Sequence, residues 1–124
     1  STSPTSARRA STVEVFAEEV DALRALVGEV DVVIAGHSGI PFVREVAGVT
    51  WVNAGVIGMP PHDASEQVRY AVLSNGQAEI CELSYDVEAA KARMTEVGLV
   101  QGYDTALQTG IWPSEYVLPE ALRR

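Results

Sequence analysis

Hydrophobic positions recur along the chain at two spacings, and the spacing separates predicted helices from predicted strands. Between residues 11 and 28 they recur every three or four residues, which is typical of an amphipathic helix. Ser11 or Thr12 is the expected N-cap and Gly28 the expected end. The apolar positions of this helix are Val13, Phe16, Val20, Leu23, Leu26 and Val27.

Further along the chain the pattern changes to short apolar runs that predict strands. Residues 31–35 form one such run, and residues 42–53 form two segments about the Ala47–Gly48 pair, a spacing that favours a hairpin. The next two strands, around 67–74 and 77–85, are joined by Asn75–Gly76, because both central residues of a type I′ turn need positive φ. Both faces of this second hairpin are rather apolar, so we expect both to be covered.

The C-terminal third is predicted to be helical and then irregular. Asp86 is an evident N-cap for a helix that stops at Gly98, and a short helix is expected around Tyr103 to Gln108. Residues 100–124 are read as an extension that docks on the body. The order of elements predicts an α/β fold, with a mixed sheet and flanking helices.

Composition narrows the class of protein. The chain has 124 residues and a net charge of −8, and its nine basic residues are scattered, which argues against a nucleic-acid patch or an anionic membrane surface. A single cysteine, Cys81, excludes an internal disulfide. No apolar run approaches the ~20 residues of a membrane span, and the N-terminus lacks an apolar signal core, so a cytoplasmic location is expected.

Residues 1–10 are rich in Ser, Thr and Pro, with two arginines. Such a composition buries little area and is typical of a linker. We therefore expect residues 11–124 to form the folded part, and further chain to precede the linker.

Candidate chemistry lies where the 31–35 strand ends. Its carboxyl end leads into GHSGIP, and polar groups at strand ends are where α/β folds usually place functional sites. From the local pattern, His37 is either a functional residue or a histidine satisfied by backbone groups at a strand end. The long loop NAGVIGMPPHD is expected to lie beside His37, since the strand before it could pair with the 31–35 strand.

These motifs, taken together, resemble those of a known family. GHSGIPF is similar to the GH[TS]H-x-P-F signature of calcineurin-like metallophosphoesterases, and WVNAGVIGMP is similar to their NPGSVG-x-P loop. A Tyr-Ala-Val strand, an Asn-Gly hairpin and a YDVEAA helix follow in the same order. The resemblance covers residues 11–100 and identifies the C-terminal half of a metallophosphoesterase-type α/β sandwich.

The resemblance implies hydrolysis of a small phosphorylated substrate by two divalent metal ions, such as Mn, Fe, Zn or Ni. His37 matches the first histidine of the signature and would be a ligand of one metal. Ser38, Gly39, Asn53 and Gly55 are the other residues of the implied site loops.

The chain departs from the family pattern at several positions. Gly39 stands where the signature has its second histidine, so Gly39→His is expected to tighten metal binding if the position faces the metals. Ala54 and Val56 replace the Pro and Ser of the second loop.

The upstream metal-ligating motifs of the family have no counterpart, since no histidine precedes His37. Two hypotheses follow. The chain is the C-terminal portion of a longer or two-part enzyme whose partner is the N-terminal half of the same domain, and it is inactive by itself. Alternatively, it is a degenerate, non-catalytic structural or interaction module.

A serine hydrolase is a third and weaker hypothesis, because GHSG is similar to the GxSxG nucleophile elbow. The register fails, since Ile40 stands where the second glycine should be. Pro41 and the strand-like residues after it also replace the helix that the elbow must enter. Ser38 is therefore expected to be a hydrogen-bonding loop residue.

Overall fold

The computed structural model describes residues 22, 25, 27–116 and 118–124 of the chain. The predicted linker 1–10 and most of the helix predicted over 11–28 lie outside the described residues. In chain order the described elements are β1 (Val32–Ala35), β2 (Phe42–Val46), β3 (Val49–Asn53), β4 (Val68–Ser74), β5 (Gln77–Leu83), α1 (Val87–Glu96), α2 (Tyr103–Thr109) and a 3-10 turn (Glu120–Leu122). Five strands are followed by two helices, which confirms the mixed α/β class.

Strand β3 is the centre of a three-stranded mixed sheet with the order β1-β3-β2. It runs parallel to β1 and antiparallel to β2. The predicted hairpin between β2 and β3 is confirmed, and Ala47 and Gly48 have φ of 51° and 75°, as a type I′ turn requires. The alanine carries the strain of a left-handed conformation, which the glycine does not.

A packed cluster lies on one face of this sheet. Val49 and Trp51 are 0% and 5% exposed, and Val33, Phe42 and Val46 pack against them. Val33 lies opposite Trp51 in the register, and Val46 lies opposite Val49. Because side chains alternate between the faces of a strand, these pairs share one side of the sheet.

Strands β4 and β5 form the predicted Asn-Gly hairpin, with φ of 50° at Asn75 and 74° at Gly76. The expectation that both of its faces are covered is wrong for the described part of the chain. Val68 is fully buried, but the rest of the strand pair keeps large apolar side chains in solvent. The exposed ones are Tyr70 (39%), Val72 (45%), Leu73 (49%) and Leu83 (37%). Burial decreases along β4 from its start to its end.

Both predicted C-terminal helices are present, and local chemistry sets their ends. The Asp86 carboxylate accepts a hydrogen bond from the Ala89 N–H at 2.9 Å and caps α1. Gly98 follows the last turn with φ of 77°. Helix α2 ends at Gly110, whose φ of 69° allows its N–H to donate to the Ala106 carbonyl. The Gln108 side chain joins the two helices by accepting from Lys91 and donating to Glu88.

Gly110 is also where the C-terminal segment approaches the body of the fold. A Cβ atom at this position would lie 2.3 Å from the Ser65 nitrogen and 2.4 Å from the Ser65 carbonyl oxygen. The Gly110 carbonyl accepts a hydrogen bond from the Ala64 N–H at 3.3 Å. Since the obstructing atoms are backbone, no rotamer change can make room.

We therefore expect Gly110→Ala to destabilise the chain by about 3 kcal/mol or more, the range of severe backbone clashes. Gly76→Ala is the matched control, because Gly76 has a similar φ of 74° and nothing within 4 Å of the added carbon. It should cost only the ~1 to 2 kcal/mol of a left-handed alanine. Urea unfolding monitored by circular dichroism measures both values. Equal losses would show that φ alone, and not the contact with Ser65, requires glycine at 110.

Candidate functional site

Two loops leave the sheet at the same edge because β1 and β3 are parallel and in register. Ala35, the last residue of β1, lies opposite Asn53, the last residue of β3. The β1–β2 loop (36–41) and the β3–β4 loop (54–67) therefore begin side by side. The expectation that the second loop lies beside the first is confirmed. This edge, at the carboxyl ends of parallel strands, is the usual place for a site in an α/β fold.

Asn53 holds the two loops together. It is fully buried, its Nδ2 donates to Ser38 Oγ at 2.9 Å, and its Oδ1 accepts from the Gly55 N–H at 2.9 Å. The Ile40 N–H also points at Ser38 Oγ, at 3.4 Å. The buried amide thus bridges the β1–β2 loop and the start of the β3–β4 loop, so the structure brings Ser38, Asn53 and Gly55 into contact.

These contacts bear on the serine-hydrolase hypothesis. Within the described residues the Ser38 hydroxyl meets an amide side chain and a backbone N–H, and neither group can take up its proton. An activated serine needs a general base within hydrogen-bond reach. The arrangement is that of a structural loop serine.

His37 has a different environment from the residues around it. Its side chain is exposed and forms no hydrogen bond with the described residues, and its φ is 78°. A non-glycine residue in the left-handed region is uncommon, and such strain is concentrated at functional sites. The imidazole is therefore free to accept a ligand.

Gly39 is enclosed where His37 is open. Its φ is 73°, and a Cβ atom would lie 3.2 Å from Trp112 Cζ2, 3.3 Å from Trp112 Cη2 and 3.3 Å from Val56 Cγ2. The indole thus lies against the place where a side chain at position 39 would begin. The expectation that Gly39→His would tighten metal binding is not supported by this geometry, because even the Cβ atom of a histidine would be in tight contact with Trp112 and the residue would have an unfavourable φ.

Trp112 is fixed in this place by two hydrogen bonds to the β3–β4 loop. Its indole Nε1 donates to the Pro60 carbonyl at 2.7 Å, and its backbone N–H donates to His62 Nδ1 at 2.9 Å. The imidazole and indole rings are tilted at 48°, with centroids 5.5 Å apart. His62 had no predicted role, although a second histidine after two prolines in a predicted site loop was a usable signal.

His62 forms hydrogen bonds with three residues of the C-terminal segment, Trp112, Glu115 and Arg124. It is only 3% exposed, and its Nε2 lies 2.6 Å from Glu115 Oε1. The same carboxylate oxygen accepts the Arg124 N–H at 2.7 Å, and Arg124 Nε donates to the His62 carbonyl at 2.8 Å. The Arg124 N–H holds the pKa of the Glu115 carboxyl below its usual value. Partial burial opposes this shift, and the hydrogen bond from His62 adds to it.

A cleft of about 410 Å³ opens beside these contacts, between the β1–β2 loop and the end of the chain. Asp63 on its wall is paired with Arg69 at 2.6 Å, so its charge is compensated internally. The lining residues are Ile40, Pro61, His62, Asp63, Ala121, Leu122, Arg123 and Arg124.

The described residues contain no group of three or more His, Cys, Asp or Glu side chains placed to hold a metal ion. His37 fits as a single ligand, since its imidazole is exposed and has no competing contact. Asn53 does not fit, since both ends of its amide are engaged. A metal centre at this edge would therefore need further ligands from outside the described residues. Across the same residues, no helix is long and apolar enough to cross a membrane.

Comparison with known proteins gives the fold of this region. No family model and no curated protein matches the chain. A metallophosphoesterase from Sphaerobacter thermophilus matches over 78% of this chain and 50% of its own, with a TM-score of 0.61 and 21% identity. A hypothetical protein from Pyrococcus horikoshii OT3 matches over 78% of this chain and 39% of its own, with a TM-score of 0.63 and 18% identity.

The chain thus spans half or less of the length of these two proteins. At this identity the comparison establishes fold alone. The chain has the α/β fold of part of a metallophosphoesterase.

The Asn53 bridge predicts a measurable coupling between the two loops. Ser38→Ala removes the hydrogen bond between Ser38 and Asn53, and Asn53→Ala removes this bond and the bond to Gly55. The destabilisation by each variant therefore includes the loss of the same Ser38–Asn53 bond. A double-mutant cycle in urea should give a coupling energy of about 0.5 to 1.5 kcal/mol, as for other hydrogen-bonded pairs. Strict additivity of the two free-energy changes would show that the bond contributes nothing to joining the loops.

Proposed function

We propose that the chain is the C-terminal portion of a metal-dependent phosphoesterase, whose partner is the N-terminal half of the same domain. The observation that carries the proposal is the placement of the GHSG and NAG sequences side by side at one sheet edge, in a fold shared with a metallophosphoesterase. His37, exposed at this edge, would be the metal ligand that this chain supplies.

Divalent metals, when bound, would supply charge neutralisation and an activated water to a phosphoester. Imidazole suits Mn, Fe, Zn or Ni, and the substrate would be a small phosphorylated molecule. Three other residues of the chain would determine the geometry of the loop that carries His37. Asn53 and Ser38 fix the β1–β2 loop relative to β3, and Trp112 backs the loop at Gly39.

Exposed apolar positions support a missing partner half. Ile34, Val52 and Val43 form one row across the three-stranded sheet, directly opposite each other in the register. Val52 is 1% exposed, whereas Ile34 is 65% and Val43 is 41% exposed. Together with the exposed side chains of the β4–β5 hairpin, this row offers apolar surface that a complementary half would bury, a favourable term of ~25 cal/mol per Å².

Unpaired polar atoms give the same indication. Trp51 Nε1 and Tyr85 Oη are buried and have no hydrogen-bond partner among the described residues. Burial, with a smaller contribution from Glu66, raises the pKa of Tyr85. Since buried polar groups normally have partners, a complementary half would supply acceptors here once the groups that now cover these two atoms move.

A degenerate, non-catalytic module is the second candidate, and one observation favours it. The indole of Trp112 covers the position of the signature's second histidine, so this chain cannot supply that ligand. Such a module would keep the fold and the loop contacts but would not bind metal through His37.

Complementation tests the proposal. The 124-residue chain alone should show no appreciable hydrolysis of a phosphomonoester or phosphodiester with Mn, Zn, Ni or Fe. Addition of the upstream half of the same domain should restore turnover, because the remaining ligands lie there. Equal turnover by the chain alone would place the site elsewhere. A well-formed complex of the two halves that binds no metal would favour the non-catalytic module.

His37 can be tested separately from the fold. In the complete protein His37→Gly should lower metal content and activity by at least about tenfold, since even the loss of a group that only orients a metal ligand has an effect of that size. Glycine relieves the φ of 78° instead of adding strain, so the melting temperature of the metal-free protein should hold or rise. Elemental analysis and thermal unfolding give the two readouts. Unchanged metal content would remove His37 from the site.

A further inference from the structure

We propose that His62 is a positioning residue for the candidate site and that it holds the C-terminal segment only in its neutral form. The inference rests on the proposed function only in treating the β1–β2 loop as part of an active site. Its structural basis is the chain of contacts from His62 through Trp112 to Gly39.

The contacts of His62 define its protonation state. The Trp112 N–H donates to Nδ1 at 2.9 Å, so Nδ1 must present a lone pair. In a neutral imidazole the other nitrogen then carries the hydrogen, and Nε2 donates it to Glu115 at 2.6 Å. Both ring nitrogens are thereby used, and the ring is 3% exposed, so no water can replace either partner without opening the segment.

Protonation of His62 would give the ring a second N–H hydrogen. This hydrogen would be on Nδ1 and would face the Trp112 N–H directly. Two donors cannot share this contact, and a buried donor without an acceptor is costly. The other charged groups around the ring do not remove the conflict. Glu115 stabilises an imidazolium, but its carboxylate contacts Nε2 and not Nδ1. Arg123 and Arg124 border the cleft and oppose a further positive charge. The charge of Asp63 is compensated by Arg69.

The open state of the segment therefore binds one more proton than the closed state. By linkage, acid favours release of Trp112 from the β3–β4 loop. Trp112 also packs on Gly39, so release would remove the backing of the loop that carries His37. The Glu115 carboxyl cannot account for a release near neutral pH, because its pKa lies below its usual value.

Nitrogen-15 NMR of the 124-residue chain tests the inference directly. Long-range spectra distinguish protonated from unprotonated imidazole nitrogens, and at pH 8 His62 Nδ1 should be unprotonated. As the pH falls, the Trp112 indole and amide signals and the Gly39 amide signal should shift together with His62. The protection factor of the Trp112 amide, which is its exchange rate relative to the unstructured amide at the same pH, should fall about tenfold or more once its buried acceptor is lost.

The diagnostic variant is His62→Asn. Asparagine tolerates the φ of 63°, and its Oδ1 can accept from Trp112, but it gains no proton near neutral pH. The segment should stay closed and the pH transition should disappear. His37→Asn is the control, since His37 also has a positive φ but does not contact the segment, and the transition should persist.

Two results would overturn the inference. One is a protonated Nδ1 at pH 8 with Trp112 still docked, and the other is an unchanged transition in His62→Asn. If His62→Asn does not fold, the wild-type nitrogen spectra still decide. In the complete enzyme His62→Asn should also remove the acid limb of the activity profile. If the transition is seen by NMR but the complex of this chain with the upstream half shows no phosphoesterase activity, the proposed function is refuted and the contact of His62 with the C-terminal segment stands.

Discussion

The candidate site depends on the parallel pairing of β1 with β3. This pairing places Ala35 opposite Asn53, so that the loops after both strands leave one sheet edge. An antiparallel partner at the same position would send the second loop to the opposite edge. The buried amide of Asn53 converts this proximity into a fixed geometry, because it binds a hydroxyl on one loop and a backbone N–H on the other. The pairing sets the position of the loops and the amide sets their separation.

Gly39 shows how a departure from a sequence signature can be a requirement of packing. Its positive φ already disfavours a side chain, and the Trp112 indole would be in tight contact with the first atom of one, at 3.2 Å. A sequence comparison sees a lost ligand at this position. The structure gives a physical reason for the glycine, since a residue 73 positions along the chain, docked by His62 and Pro60, is packed against it. Restoring the signature at position 39 therefore requires a change in the C-terminal segment as well.

Local chemistry was readable from the sequence, and long-range contacts were not. The Asn75–Gly76 and Ala47–Gly48 turns and the Asp86 cap each depend on a few neighbouring residues, so their positions followed from the local sequence. The His62–Glu115 contact joins residues 53 positions apart and has no local pattern. The apolar residues of β4 correctly predicted a strand. The prediction that both faces of its hairpin are covered was wrong, because burial depends on what packs against a strand and not on the strand alone.

The two histidines of the chain have opposite environments although both have positive φ, 78° at His37 and 63° at His62. His62 is buried and uses both ring nitrogens in contacts to the C-terminal segment, so neither nitrogen is available to bind a metal or a substrate. His37 is exposed on a loop that Asn53 and Trp112 hold from behind. Strain at His37 therefore persists because its surroundings are fixed by other residues, which leaves its imidazole available for binding. If the edge carries a metal, only His37 among these two can be its ligand.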